Sequence, residues 1–122
     1  MKRVLDVGQC QADHWSIRHL LESHFAATVV QAHSAAEAID QLRAGKFDLV
    51  LINRQLDADG DEGLDIVQAI KADAALKSTP VMLVTNYADV AAEAVAAGAE
   101  PGFGKARLNA PETIERLARL LT

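Results

Sequence analysis

A chain of 122 residues has the length for one ordinary hydrophobic core and is read as a single domain, residues 1–122, without a second core or an attached output module. Its formal charge of −5 gives nucleic acid and anionic membrane surfaces no electrostatic reason to bind. The opening Met1-Lys2-Arg3-Val4-Leu5-Asp6 holds no apolar stretch of signal-peptide or membrane-spanning length, so a cytoplasmic protein with neither nucleic acid nor membrane among its partners is expected. Half the residues are apolar but only 4% aromatic, which leaves the core to Ala, Val, Leu and Ile, and the single Cys10 excludes an internal disulfide.

Apolar runs of strand length recur between stretches of helical period. They are Val4–Val7, Thr28–Ala32, Asp48–Ile52, Pro80–Thr85 and a weaker Gly102–Gly104. The third and fourth, Leu49-Val50-Leu51-Ile52 and Val81-Met82-Leu83-Val84, are apolar without alternation. They are therefore buried on both faces, as central parallel strands are, and helices must cover both sides of the sheet. In the first helix Ile17, Leu20, Leu21, His24 and Phe25 share one arc, and Trp15 lies roughly 150° from its centre, so that it either faces out or folds over the loop at Gln9-Cys10-Gln11. Ser34-Ala35-Ala36-Glu37 is a capping box that opens the second helix, which Gly45 can close. The fourth helix, Tyr87–Ala97, is rich in alanine. Asn109 is the expected cap of the last helix, with Pro111 in its first turn, Glu112 at the reciprocal position and Ile114, Leu117, Leu120 and Leu121 as its buried stripe.

Five βα units carrying Phe47-Asp48-Leu49-Val50-Leu51-Ile52, Thr79-Pro80-Val81-Met82-Leu83-Val84-Thr85, Gly63-Leu64, Ala97-Gly98-Ala99 and Lys105 resemble the response-regulator receiver (CheY-like) family over nearly the whole chain. The resemblance implies a flavodoxin-like (βα)5 fold. This is a five-stranded parallel sheet of order 2-1-3-4-5 with helices on both faces. It also implies a pocket in which an acidic pair and an acceptor aspartate hold Mg²⁺ and take a phosphoryl group, completed by a Thr and a Lys. Thr85 and Lys105 match their positions. Gly8 and Gln9 fall at the acidic pair and Asn53 at the acceptor, where an amide oxygen cannot form an acyl phosphate. Ala106 follows Lys105 where the family has proline, so a trans bond is expected there. Gly102 replaces the aromatic switch residue, with Phe103 one place later.

Three aspartates and a lysine give such a pocket a formal charge of −2, whereas Lys105 alone gives +1. Losing three carboxylates weakens Mg²⁺ attraction by something on the order of 10 kcal/mol. No metal and no cofactor is expected. Asp6 lies two residues before the acidic-pair position, on the same side of its strand, and a buried carboxylate needs a partner. Two readings stay open: an internal Asp6–Lys105 ion pair in place of the metal, or an Asp6 at a frayed or shifted strand end.

The loop Asp57-Ala58-Asp59-Gly60-Asp61-Glu62-Gly63 resembles the start of a calcium loop. It fails where Glu62 replaces the turn glycine and Gln68 the closing carboxylate, and reads as a solvated acidic loop. Cys10, in the turn before the first helix, reads as an inert thiol. His14, His19, His24 and His33 read as surface and edge histidines, since their spacing suits no shared metal site. The exposed surface that would meet a partner includes Trp15 and, from the resemblance, Tyr87, Val90, Ala94 and Phe103.

The function expected is that of a stand-alone atypical receiver, not an enzyme, which recognises another signalling protein without phosphorylation. Its partner would be a histidine kinase, an output protein or a second copy of the chain. The alternatives are a receiver phosphorylated at a displaced carboxylate such as Asp57, or a domain that senses a small anion through Thr85 and Lys105. Gly8-Gln9-Cys10-Gln11-Ala12 lacks the hydroxyl-rich loop that flavin binding requires.

Overall fold

The computed structural model describes all 122 residues. In chain order it contains β1 (Lys2–Val7), α1 (Gln11–His24), β2 (Ala27–Ala32), α2 (Ala35–Ala44), β3 (Leu49–Asn53), α3 (Gly63–Ala72), β4 (Val81–Val84), α4 (Ala88–Ala96), β5 (Glu100–Phe103) and α5 (Pro111–Leu121), with a short 3₁₀ turn at Lys105–Arg107. All five strands are parallel and lie in the order β2-β1-β3-β4-β5. This is the flavodoxin-like three-layer arrangement expected. No helix is long and apolar enough to cross a membrane.

The two-residue pleat sorts the strands' side chains into two cores. Leu5, Val7, Val50, Ile52 and Leu83 face α2, α3 and α4, meeting Ala38, Leu42, Ile66, Val67, Ile70 and Ala94. Val4, Leu49, Leu51, Met82, Val84 and Phe103 face α1 and α5, meeting Ile17, Leu20, Leu21, Leu117 and Leu121. By the same alternation Asp6 shares the α1/α5 face with Val4. Two-sided burial is why β3 and β4 read as unbroken apolar runs.

Local chemistry explains the helix ends. The Ser34 hydroxyl accepts from the Glu37 amide at 3.2 Å, while the Glu37 carboxylate accepts from the His33 amide at 2.8 Å, so the reciprocal bond reaches one residue beyond the cap. At α5 the expected Asn109 cap is not used. Ala110 stands at the cap with Pro111 following, and Glu112 accepts from the Arg107 guanidinium at 2.6 Å instead of turning back to the backbone. A guanidinium fork makes a stronger partner than a neutral amide. The last strand begins two residues earlier than the apolar pattern suggested. Its pairing with β4 runs from Met82–Glu100 to Val84–Phe103 across an irregularity, which breaks the period that pattern reading relies on.

Candidate functional site

The carboxyl edge of the sheet gathers the segments after β1, β3, β4 and β5. After β1, Gly8 turns the chain with φ +77°. A Cβ there would lie 2.2 Å from Leu56 Cδ2 and 3.0 Å from Leu56 Cα, so any side chain would collide with the loop after β3 and strain the backbone as well. The Gly8 carbonyl accepts from the Asp57 amide at 2.9 Å and from Asn53 Nδ2 at 3.1 Å. Asn53 Nδ2 also donates to the Gln55 carbonyl at 2.8 Å. Asn53 thus closes β3 and ties the first and third loops together through its amide, a role that needs N–H donors. Gly63 lets α3 approach just as closely: its Cβ would fall 2.0 Å from the Asn53 carbonyl oxygen.

Lys105 does not pair with Asp6. Its Nζ donates to Asp13 Oδ2 at 2.7 Å, an ion pair between the turn after β5 and the first turn of α1. The Lys105 bond holds the Asp13 carboxyl below its ordinary value. Asp6, with none of its surface exposed, instead meets His14, whose Nδ1 lies 2.7 Å from Asp6 Oδ2. Burial raises the Asp6 carboxyl above its ordinary range. The His14 hydrogen bond and charge oppose that rise, and the Gln9 amide and Lys105 oppose it more weakly. The physical reason for the different pairing is depth. Asp13 stands at the rim, where the ammonium keeps part of its hydration, whereas Asp6 lies one pleat deeper under α1, where an imidazole is cheaper to bury than a lysine.

His14 is therefore buried rather than a surface histidine, and it is the partner of Asp6 that sequence reading missed. Its spacing held the signal: His14, Ile17 and Leu21 stand at i, i+3 and i+7, one stripe of α1, and all three are buried. His24, placed in that arc by the sequence, is exposed, with its Nδ1 3.0 Å from the Leu20 carbonyl oxygen. Gln9 is only 1% exposed. Its amide lies close enough to Asp6 to lower the carboxyl, yet no hydrogen bond of normal geometry reaches either amide atom or Asp6 Oδ1.

Two clefts open at this edge. One, of about 450 Å³, is lined by Cys10, Asp13, Asn53, Asp57 and Lys105 among others. Its neighbour, of about 260 Å³, shares Asn53 and Lys105 and adds Arg54, Thr85, Asn86 and Tyr87. A larger cleft, of about 610 Å³, lies at the opposite edge, between the α2–β3 and α3–β4 connections, and holds none of the candidate residues. The residues present do not fit the divalent cation that the receiver resemblance implies. Gly8 has no side chain, Gln9 is enclosed, Asn53 spends its amide hydrogens on backbone, and no three His, Cys, Asp or Glu side chains come together. In the acidic loop Asp59 Oδ1 accepts from the Asp61 amide at 3.0 Å and the carboxylates of Asp57, Asp59 and Asp61 are solvated. Cys10 is half-buried at the start of α1, and no peptide bond, Lys105–Ala106 included, is cis.

Of the expected partner surface, Trp15 is 66% exposed and stacks on His19 with ring centroids 5.3 Å apart, and Tyr87 is 57% exposed beneath the Arg54 guanidinium. Val90 is half-buried. Ala94 and Phe103 are not surface residues. Ala94 packs into the α2–α4 core and Phe103 into the α1/α5 core, because the apolar stripe of α4 and the inward pleat of β5 carry them there.

The response regulator receiver domain family matches residues 12–116. The chain is 32% identical over 98 residues to the chemotaxis protein CheY of Pseudomonas aeruginosa, covering 79% of this chain and 77% of that one. Among solved structures it is similar to the signal receiver domain of a DNA binding response regulator protein from Colwellia psychrerythraea 34H, with a TM-score of 0.83 and 26% identity over 98% of both chains. The chemotaxis response regulator CheY4 of Vibrio cholerae shares the fold, with a TM-score of 0.78 and 23% identity over 99% of both chains. With its strand order, its βα connections and the Thr85 and Lys105 positions in place, the chain belongs to the response regulator receiver domain family.

Proposed function

We propose that this receiver works without taking a phosphoryl group and acts by recognising another signalling protein: a histidine kinase, an output protein or a second copy of itself. The observation that carries the reading is the end of β1. Gly8 stands where the family resemblance requires a carboxylate, and Leu56 fills the space that a side chain there would need. A single reversion at Gly8 therefore meets a collision rather than a waiting metal site. Asn53 supports the reading from β3, since its amide hydrogens hold the Gly8 and Gln55 carbonyls. Lys105 supports it too, already neutralised by Asp13.

On this reading the domain is no enzyme and holds no Mg²⁺, and contact surface replaces chemistry. Trp15 and Tyr87 are the large aromatic side chains it offers to solvent, and tryptophan and tyrosine are enriched among residues that dominate interface energies. The test is a melting curve and an amide NMR spectrum recorded with and without Mg²⁺ plus beryllofluoride, which mimics a phosphoryl group on an aspartate. Superimposable spectra and unchanged melting are expected. Shifts centred on Asn53, Thr85 and Lys105 that require both reagents would overturn the reading. The second reading, phosphorylation at a displaced carboxylate, draws on Asp57 lining the same cleft as Lys105.

A further inference from the structure

The sheet has two edges, and they are protected very differently. At β5 the chain carries the charge of Glu100, then Pro101, which has no N–H to offer, and an irregular pairing with β4 between Met82 and Val84. Charge, proline and irregularity are the means by which a sheet edge refuses a further strand. At β2 none of them is present. From Phe25 to Ala36 there is no Asp, Glu, Lys, Arg, Pro or Gly, and Ala27–Ala32 stays in unbroken register with β1. On a chain of net charge −5 this edge is neutral, with the strand-forming run Thr28-Val29-Val30-Gln31 at its centre.

The backbone bonds show which groups that edge leaves open. Lys2 donates to the Ala26 carbonyl at 2.9 Å and Gly8 to the Ala32 carbonyl at 2.8 Å, so β1 engages the even-numbered residues of β2, and by the parallel pattern the odd-numbered ones point away from the sheet. Two of these are already satisfied: Ala27 donates to the Phe25 carbonyl at 2.9 Å, and His33 donates to Glu37 Oε2 at 2.8 Å. Val29 and Gln31 remain, each with its N–H and its C=O facing outward from the last strand. That set is complementary to itself. With a second copy antiparallel and Val30 opposite Val30, each Val29 faces the other copy's Gln31 and exchanges both bonds with it. Centring on Val29 or Gln31 instead would oppose these residues to Ala27 or His33, whose N–H groups are taken. The Val30 register also suits the side chains, since Val30, Ala35 and Ile39 form a half-buried apolar strip from β2 onto α2, and a β-branched pair across the axis covers part of it.

We propose that the chain forms a symmetric dimer through β2, the two strands pairing antiparallel about Val30 so that two five-stranded sheets become one continuous sheet. The proposal rests on the partner-recognition reading and deepens it, naming the second copy as partner and the β2 edge as the surface. It uses neither the clefts at the carboxyl edge nor α4.

A contact of this size belongs with weak associations, so the experiment is sedimentation equilibrium from micromolar to millimolar concentration, with amide hydrogen exchange followed by NMR at both ends of the range. The mass should rise toward that of a dimer, and the Val29 and Gln31 amides, unprotected when dilute, should become protected when concentrated. In a mixture of ¹³C-labelled and unlabelled chains, a nuclear Overhauser effect between the Val30 α-protons of the two copies is expected. Gln31→Pro removes an outward N–H at a place where an edge strand tolerates proline, and should weaken association by about ten-fold or more. Thr28→Lys, a change at an exposed side chain that leaves the core intact, should weaken it several-fold by placing like charges on both sides of the axis. A chain that stays monomeric at millimolar concentration, or a dimer whose Val29 and Gln31 amides exchange as fast as when dilute, would overturn the pairing. So would protection of those amides only on addition of an extended peptide, which would make the peptide the occupant of the edge. A monomer whose spectrum is still unmoved by Mg²⁺ and beryllofluoride would overturn the dimer alone and leave recognition of a kinase or output protein standing.

Discussion

Replacing His14 by leucine removes the partner of a carboxylate that has no exposed surface. What remains around Asp6 is the Gln9 amide and the more distant charge of Lys105. Breaking a buried pair by deleting one member costs about 3–5 kcal/mol, which is a large part of the roughly 5–15 kcal/mol that holds a domain folded. At about 3–5 °C per kcal/mol for a chain of this size, His14→Leu should melt about 10–25 °C lower near neutral pH. The double variant Asp6→Leu/His14→Leu removes both polar groups and extends the apolar face of Val4. It should recover most of the loss or exceed the original stability, because apolar replacement of a whole buried pair is often neutral or stabilising.

The sign of the pH dependence follows from burial. Asp6 holds its proton more tightly folded than unfolded. Its contribution to stability is therefore present below the ordinary carboxyl value of 3.8 and is lost as pH rises through the raised folded value. Removing His14 deletes the largest opposing influence, so the His14→Leu deficit should shrink as pH falls from about 8 to about 5. Urea unfolding of the four proteins of the cycle at several pH values measures all of this. Additive single effects, or a His14→Leu loss that deepens on acidification, would refute the buried pair as the account of Asp6.

Three further outcomes follow from single contacts. Gly8→Ala should cost about 2–4 kcal/mol in urea unfolding, combining a left-handed backbone with overpacking against Leu56. Lys105→Met should cost less than about 1 kcal/mol, since both members of its pair with Asp13 keep a third or so of their surface in water. Trp15→Ser should leave stability within about 0.5 kcal/mol, because the residue is 66% exposed and its stacking on His19 lies at the surface, while weakening any complex formed through α1.

The layers of this fold were legible in the sequence because burial on both faces writes itself as unbroken apolar runs in β3 and β4, and because Ser34 and Gly45 bracket α2 with recognisable chemistry. Strand order came from family resemblance, which pattern alone could not supply. At the site, the family resemblance made plain that Gly8, Gln9 and Asn53 stand where the family has carboxylates. It could not tell which acid Lys105 meets. That choice depends on how far α1 is rotated and how deep each carboxylate lies. Asp13 and Asp6 are seven residues apart in sequence but stand at the rim and in the core. Ala94 and Phe103 illustrate the same limit. A residue on a helix or strand thought to form a contact surface still has one face turned inward, and only the packing decides which.

Intact-mass spectrometry after incubation with Mg²⁺ and an acyl-phosphate donor, beside a phosphorylatable receiver as control, tests the central claim most directly. The remodelled end of β1 and the amide at Asn53 predict no phosphoryl adduct on this chain while the control is modified. A Mg²⁺-dependent adduct that peptide mapping places on Asp13, Asp57 or another carboxylate of the cleft would contradict the account and return the protein to the phosphorylated receivers.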